Sequence, residues 1–496
     1  MKRIIGIDFG TSNCSVSAIE GKRPVLISND KGSVYTPSVV YIAENGSYYT
    51  GEDAKSQAIL YPGRVISNIK RQLGKLSDVR IAGIQYSVQE IAARILIQLK
   101  NDAEKFLGSK VPEVVITVPA NFSDTERKAI MQSGEIAGFN VRRIINEPTA
   151  AAMAADLETG VDEKILVYDF GGGTIDISIL EISDGLFEVR ATAGRSDIGG
   201  VDFDSMIAEK IIADFKNASG IDIKGDPVAL QKVRDEAERV KIALSDSTEV
   251  SSKIPFLSAD ARGPQHLSWN ITRGEFERMI QSKIDETFVL AKKCIADSGI
   301  KTDDIDAVLP VGGTVKIPVI QKRLKDFFTC KILQPPDPAE LVALGAGMQA
   351  GIIEGSIRGK ALVDVTPLSL GIEIDGGYLI RLIERNTPVP VSKSRMFTTI
   401  SDNQRIVEIH VLQGEHPHAD QNISLGRFYL EDIPPEKKGM PRIEVIFEID
   451  IDGILHVSAL NLDTGKRQTI RIAETLGLSE AEIKRMMRRA MQSKKI

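Results

Sequence analysis

Two segments far apart in the chain echo each other. Ile5-Gly6-Ile7-Asp8-Phe9-Gly10-Thr11-Ser12-Asn13 returns in altered form as Leu166-Val167-Tyr168-Asp169-Phe170-Gly171-Gly172-Gly173-Thr174-Ile175-Asp176. In each, a short β-rich run ends in aspartate and then glycine, the pattern of two strands joined by a tight turn whose backbone must approach something closely. The echo predicts two related halves, and no repeat of about 20 to 50 residues, the mark of a solenoid, accompanies it. Apolar periodicity predicts helices over 88–107, 124–137, 202–216, 228–245 and 274–298, alternating with strands at 113–118, 164–169 and 306–311. Strands alternating with helices argue an α/β fold. The 496 residues suit roughly three packing units at about 150 residues each.

The pattern changes after Glu354. Segment 354–364 is polar, carries two glycines and ends in the apolar patch Ala361-Leu362-Val363, and it reads as an interdomain linker. Beyond it the apolar period becomes two. Val407, Ile409 and Val411 alternate with Glu408 and His410, and Ile443, Val445, Phe447 and Ile449 follow the same rule, so a mostly β domain is expected. Asp452-Gly453 suits a hairpin turn there. Finally Ser479 and Glu482 make a capping box before Ile483, Met486, Met487, Ala490 and Met491, opening an amphipathic helix. Its basic run from Lys484 to Lys495 reads as a solvated face with positive charge near a helix C-terminus.

Lysine plus arginine is 62 against 68 acids, a net charge of −6, so no general attraction to nucleic acid or to an anionic membrane is expected. No uncharged apolar run reaches the roughly 18 residues needed to span a bilayer, and the N-terminal run is broken by Asp8 before it attains the length of a signal sequence. Cys14, Cys294 and Cys330 are too few and scattered for a disulfide framework or a zinc site, which points to a reducing compartment and a cytoplasmic location.

Phosphate oxygens need converging donors, and successive backbone N–H groups in glycine-rich turns supply them unobstructed. Three turns qualify, each after an apolar strand: Gly10-Thr11-Ser12-Asn13, Gly171-Gly172-Gly173-Thr174 and Gly312-Gly313-Thr314. Together they predict a nucleotide site. Magnesium on a polyphosphate keeps several waters and is held by one or two carboxylates, a role that suits Asp8, Asp169 and Asp176. Two residues apart on a strand, Thr174 and Asp176 share a face. Cys14 follows the first turn; a small core residue is the ordinary reading, and an oxidation-sensitive thiol of lowered pKa the alternative.

In order, GIDFGTSN, VVITVPANF, INEPTAAA, YDFGGGTIDISI, GGVDFD and VGGTVKIP resemble the nucleotide-binding domain of the DnaK, or seventy-kilodalton heat-shock, chaperones. DVTPLSLGIE, NTPVPV, DNQRIVEIHVLQGE, SLGRF and DIDGILHVSA resemble that family's linker exit and β substrate-binding domain. The resemblance covers almost the whole chain. It implies an α/β actin-like (ribonuclease-H-like, duplicated) ATPase domain at 1–356, a linker at 357–364 and a β-sandwich peptide-binding domain at 365–475. The start of a helical lid, truncated after its first turns, would occupy 476–496.

By resemblance, Gly10, Thr11, Ser12, Asn13, Gly171, Gly172 and Gly173 would hold the β- and γ-phosphates of ATP or ADP. Asp8 and Asp169 would organise Mg2+, with K+ as an optional companion. Lys70 would reach the γ-phosphate, where it would otherwise pass for surface charge; Glu147 and Asp176 would position the ion shell and attacking water, and Thr174 would donate nearby. Gly199, Gly200, Glu238, Lys241, Ser245, Gly312, Gly313 and Lys316 would surround adenosine. Read without the resemblance, Glu238 and Lys241 are equally well a surface ion pair on one helix face. Pro119 and Arg127 match the relay between domains, Leu362 and Val363 the apolar linker, and Arg143, Asn146 and Asp364 match positions for J-domain partners and interdomain docking. Ile372, Phe397, Val407, Ile409 and Val411 match the groove that takes an extended peptide; without the resemblance they read as core.

Asp375 and Ile400 stand where bacterial relatives carry apolar residues arching over the peptide, which would favour basic sequences. Val201 replaces an acid, and Asp337-Pro338-Ala339-Glu340 replaces Asn-Pro-Asp-Glu, so a water-mediated adenosine contact of the family is not carried over. The implied protein is a monomeric, ATP-hydrolysing chaperone for unfolded polypeptides, served by a J-domain co-chaperone and a GrpE-type exchange factor. A sugar or acid kinase and an actin-like filament subunit share the fold but leave 364–475 without a use.

Overall fold

The computed structural model describes residues 3–75, 78–155, 162–261, 263–471 and 478–492. The echoed segments are the centres of two sheets built the same way. In the first, Ile4–Phe9 has the parallel strands Glu113–Val118 and then Asn140–Asn146 on one side, and the antiparallel Asn13–Glu20 and then Arg23–Ile27 on the other. In the second, Glu163–Phe170 has the parallel Ala307–Val311 and Lys331–Ile332 on one side and the antiparallel Ile175–Ser183 and Leu186–Arg195 on the other. Even the register matches, because Asp8 pairs with Ser15 and Asp169 with Asp176.

Helices cover these sheets on both faces, which is why Glu113–Val118 is buried throughout and reads as a nearly continuous apolar run. The expected helices appear as Val88–Leu107, Asp124–Ile136, Gly200–Ser219, Pro227–Asp246 and Arg273–Ser298. Another helix, Leu341–Glu354, joins the halves. Its Gly345 lies so near helix Glu147–Ala154 that a Cβ would stand 1.8 Å from the Ala150 carbonyl oxygen, and a Cβ on Gly6 would strike the Ala346 backbone at 2.2 Å. Both positions need glycine because backbone approaches backbone.

The expected linker is itself structured. Ala361–Val365 pairs in parallel with Leu186–Arg195, placing Leu362 opposite Phe187 and Val363 opposite Glu188, and so extends the second sheet. The chain then enters two four-stranded sheets, one holding Leu370–Ile374 and Val407–Gln413, the other Val391–Phe397, Ile443–Ile449 and Leu455–Asn461. They pack over a core that includes Leu425, Phe428, Phe447 and Val457. Asp452-Gly453 makes the expected turn, with Gly453 at φ +75°.

The final helix, Glu480–Gln492, is amphipathic as expected, with Lys484, Arg485 and Arg488 exposed on its basic face. Its Ser479–Glu482 box is present, and Ile483, Met486 and Ala490 pack onto the core of the first half. Arg489 lies 4.3 Å over the Tyr86 ring with Nε 3.3 Å from the buried Glu90 carboxylate. The apolar stripe dominates because it finds a matching surface on helices Val88–Leu107 and Asp124–Ile136. The expected boundary at 475–476 lies outside the described residues.

Candidate functional site

Between the halves lies a cavity of about 770 Å3. It is lined by Asp8, Gly10, Thr11, Ser12 and Asn13 from the first half and by Asp169, Gly171, Gly172, Gly173 and Thr174 from the second. Lys70, Glu147, Gly200, Glu238, Lys241, Ser245, Gly312, Gly313 and Lys316 also line it. The echoed turns meet there: a Cβ on Gly172 would stand 2.3 Å from Ser12 Oγ, and one on Gly173 2.3 Å from Thr11 Oγ1. Gly199 stands outside the lining, against the Gly172 backbone.

Lys70 is buried, not surface charge, and donates to Glu147. Burial alone would lower its pKa, but Glu147 and Asp8 hold it above the usual lysine value. The surrounding acids outnumber it. Burial, reinforced by Glu147, pushes Asp8 up to about 7 against the pull of Lys70 and the Thr117 hydroxyl. Burial and Glu147 likewise raise Asp176 to about 8, and burial with Glu147 and Asp176 carries Asp169 well above the ordinary range. Asp176 is fully buried. One of its oxygens accepts from the Asn121 amide at 3.0 Å, and the other has no hydrogen-bond partner, as has one oxygen of Asp169. Buried carboxylate oxygens without partners in an acid-rich pocket fit a divalent cation. Among the described residues no three acidic, histidine or cysteine side chains converge as a direct metal shell.

Glu238 and Lys241 are not partners. Lys55, from the first half, reaches Glu238 at 2.7 Å, and Lys241 bonds Asp204 at 2.8 Å and the Gly200 carbonyl at 3.0 Å. Lys55 went unrecognised in the sequence, as did Arg71, which clamps Asp202 and the Gly173 carbonyl. Adjacency of Arg71 to Lys70 was its only signal. Cys14 is buried beside Ser38, and burial pushes its thiol up to about 12, which removes the activated-thiol reading.

A family model described as Hsp70 protein matches residues 4–82 and 75–496. The chain belongs to the Hsp70 family. Hsp70 proteins are ATP-dependent chaperones and ATPases that bind ATP or ADP with Mg2+ and work with unfolded substrates and co-chaperones. The paired α/β sheets and the β-rich region fit an actin-like ATPase followed by a β domain. Among the described residues no helix is long and apolar enough to cross a membrane.

The residues expected to couple Hsp70 domains gather at one junction. Arg127, buried beyond the Pro119 turn, donates to Asn146 Oδ1 at 2.6 Å and to the Ala120 carbonyl at 3.2 Å. Asp364 is buried beside it and accepts from Thr149 at 3.3 Å. Arg143 approaches Asp452 at 3.9 Å, and the Ile144 amide donates to Asp452 Oδ1 at 2.8 Å. Asp124, on the same face, accepts from the Leu455 amide at 2.7 Å.

The expected peptide contacts divide. Ile372, Ile409 and Val411 are buried in the sandwich core, with Phe397 and Val407 packed partly buried against it. This is the burial that period-two alternation demands. Asp375 and Ile400 are exposed.

Proposed function

We propose that this Hsp70-family chain is a DnaK-type chaperone in which ATP hydrolysis at the interlobe cavity switches the peptide affinity of the β sandwich through the linker. The observation that carries the reading is the linker strand. Ala361–Val365 lies in the second sheet of the ATPase, and Asp364 within it is buried near Arg127. A segment that were only a tether would have no reason to form sheet hydrogen bonds and bury a carboxylate. The domains divide at 1–356, 357–364 and 365–475, and Glu480–Gln492 is the opening helix of the lid.

Thr11, Ser12, Asn13 and the Gly171–Gly173 amides bind the phosphates, with Asp8 and Asp169 on the side of the metal. Mg2+, when bound, neutralises charge developing on the transferred phosphoryl group. Lys70 supports the γ-phosphate, Thr174 donates to it, and Glu147 and Asp176 orient the attacking water and accept its hydrogen bonds. Positioning and electrostatic stabilisation do nearly all the work in such transfers. Glu238, Lys241, Ser245 and Lys316 hold adenosine. Arg127, Arg143, Asn146, Asp364, Leu362 and Val363 transmit the state of the cavity. Extended peptide enters between the sandwich loops near Asp375 and Ile400, against Ile372, Phe397, Val407 and Ile409. A J-domain protein at the Arg143–Asn146 face and a GrpE-type exchange factor complete a cytoplasmic cycle.

Purified protein should hydrolyse ATP slowly with no added acceptor. A kinase of the same fold would wait for its hydroxyl substrate, so absence of turnover until a sugar or acid is added would overturn the reading.

A further inference from the structure

One part of the cavity wall is tied by Tyr35 and Asp337, to which no role in the cycle has yet been given. The Tyr35 hydroxyl donates to Oδ2 of Asp337 at 3.1 Å, and Oδ1 of the same carboxylate is 3.0 Å from Lys316 Nζ. Tyr35 precedes Thr36–Pro37, which pairs with Asn13–Glu20 in the first sheet. Lys316 ends the turn that follows Ala307–Val311 of the second sheet. Asp337 sits on the crossover between Lys331–Ile332 of the second sheet and helix Leu341–Glu354. The three side chains therefore tie one half to the other beside the nucleotide cavity, which Tyr35, Lys316 and Ala339 all line.

Both ends of this link are built rather than draped. Asn29 organises the Tyr35 loop: its Oδ1 accepts from the Lys31 and Ser33 amides at 3.0 and 3.1 Å, and its Nδ2 donates to the Tyr35 carbonyl at 3.1 Å. The Tyr35 amide donates to Ser33 Oγ at 3.1 Å. On the other side, Asp337 Oδ1 accepts from the Ala339 amide at 2.9 Å, and the Gly312 amide donates to the Pro338 carbonyl at 2.9 Å, joining the Asp337 segment to a phosphate-type turn. Burial alone would raise the Asp337 carboxyl, but the Ala339 amide, Lys316 and Tyr35 hold it below the usual range. It is thus an anion at neutral pH, and a hydroxyl donating to an anion makes a stronger bond than one donating to a neutral group.

We propose that Tyr35 and Asp337 form a clasp across the mouth of the nucleotide cavity and set how fast nucleotide leaves. The proposal rests on the reading of the cavity as a nucleotide site. For ligand to escape, the halves must part where the hydroxyl meets the carboxylate. The clasp therefore acts on dissociation, and Tyr35 is a positioning residue that makes no chemical step.

The test is stopped-flow release and binding of a fluorescent ADP analogue by the full chain, comparing the parent with Tyr35→Phe, Asp337→Ala and the double variant. Bonds to charged groups are among the stronger ones, but this pair is only partly buried, so Tyr35→Phe should speed release about fivefold. Association should stay within about twofold of the parent, and Tyr35→Phe should add nothing in the Asp337→Ala background. Release within twofold of the parent, effects that multiply in the double variant, or slowed association in Tyr35→Phe would each overturn the clasp. Failure of the parent itself to bind the analogue would instead overturn the nucleotide reading on which it rests.

Discussion

The Ile144 amide donates to Asp452 Oδ1 at 2.8 Å, joining the end of an ATPase strand to a hairpin turn of the β sandwich 308 residues away. Removing the carboxylate leaves that amide without its partner, at a cost of about 1 to 3 kcal/mol. Asp452→Ala should therefore favour separated domains and slow ATP-triggered peptide release by roughly tenfold, while leaving peptide binding with ADP intact. Release rates measured by fluorescence would check this, and an unchanged ATP-triggered rate would show that the contact carries no coupling.

Lys70 and Thr174 face the cavity from opposite halves. Thr174→Ala or Lys70→Ala should reduce single-turnover hydrolysis about 10² to 10³ times, the usual loss for one preorganised donor. ATP should still bind through the remaining turn amides. Hydrolysis within threefold of the parent in both variants would remove these residues from the chemistry.

The acids of the cavity give stability a definite pH dependence. Burial pushes Asp8 up to about 7 and Asp176 up to about 8 in the folded chain, both far above the usual aspartate value of 3.8. The native state therefore binds more protons than the unfolded chain between about pH 4 and 8, and stability must fall as pH rises through that window. Urea unfolding of nucleotide-free protein at pH 5.5 and about 8 should show the loss, and saturating Mg-ADP should lessen it. Greater stability at pH 8 without nucleotide would contradict the burial of these groups as carboxylates.

Duplication was legible in the sequence because both halves carry the same strand and Asp-Phe-Gly turn. Five helices were legible from apolar period, but Leu341–Glu354, buried on most of its faces, shows no such period. Partners were not: nothing around Glu238 announces Lys55, and Tyr35 belongs to no motif, since both contacts form only when the halves close on each other. The groove residues were ambiguous for the opposite reason. Ile372, Ile409 and Val411 follow the alternation of any buried strand, and a peptide groove between sheets uses the same period as a core. The terminal helix announced its cap but not its surface, because a stripe such as Ile483, Met486 and Ala490 carries no address.

Arg489 offers a separate handle on that surface. Arg94 and Glu90 are fully buried beneath it, and Arg489 covers Glu90 while stacking on Tyr86. Arg489→Ala should weaken helix docking by about 1 kcal/mol, a modest figure because the side chain is partly exposed. Hydrogen exchange across the helix Glu480–Gln492 should speed up roughly fivefold in ATP. Unchanged exchange would mean that the apolar stripe alone holds the helix.

The central claim is that ATP at the cavity controls peptide in the sandwich through the strand at Ala361–Val365. The most direct measurement is stopped-flow release of a labelled basic peptide from the ADP complex on mixing with Mg-ATP, in the parent and in Leu362→Asp. Release should be at least tenfold faster with ATP than with ADP in the parent, with no acceleration in Leu362→Asp, whose charge cannot enter the sheet edge beside Phe187. Equal release with ATP and ADP in the parent, or full acceleration in Leu362→Asp, would contradict that claim.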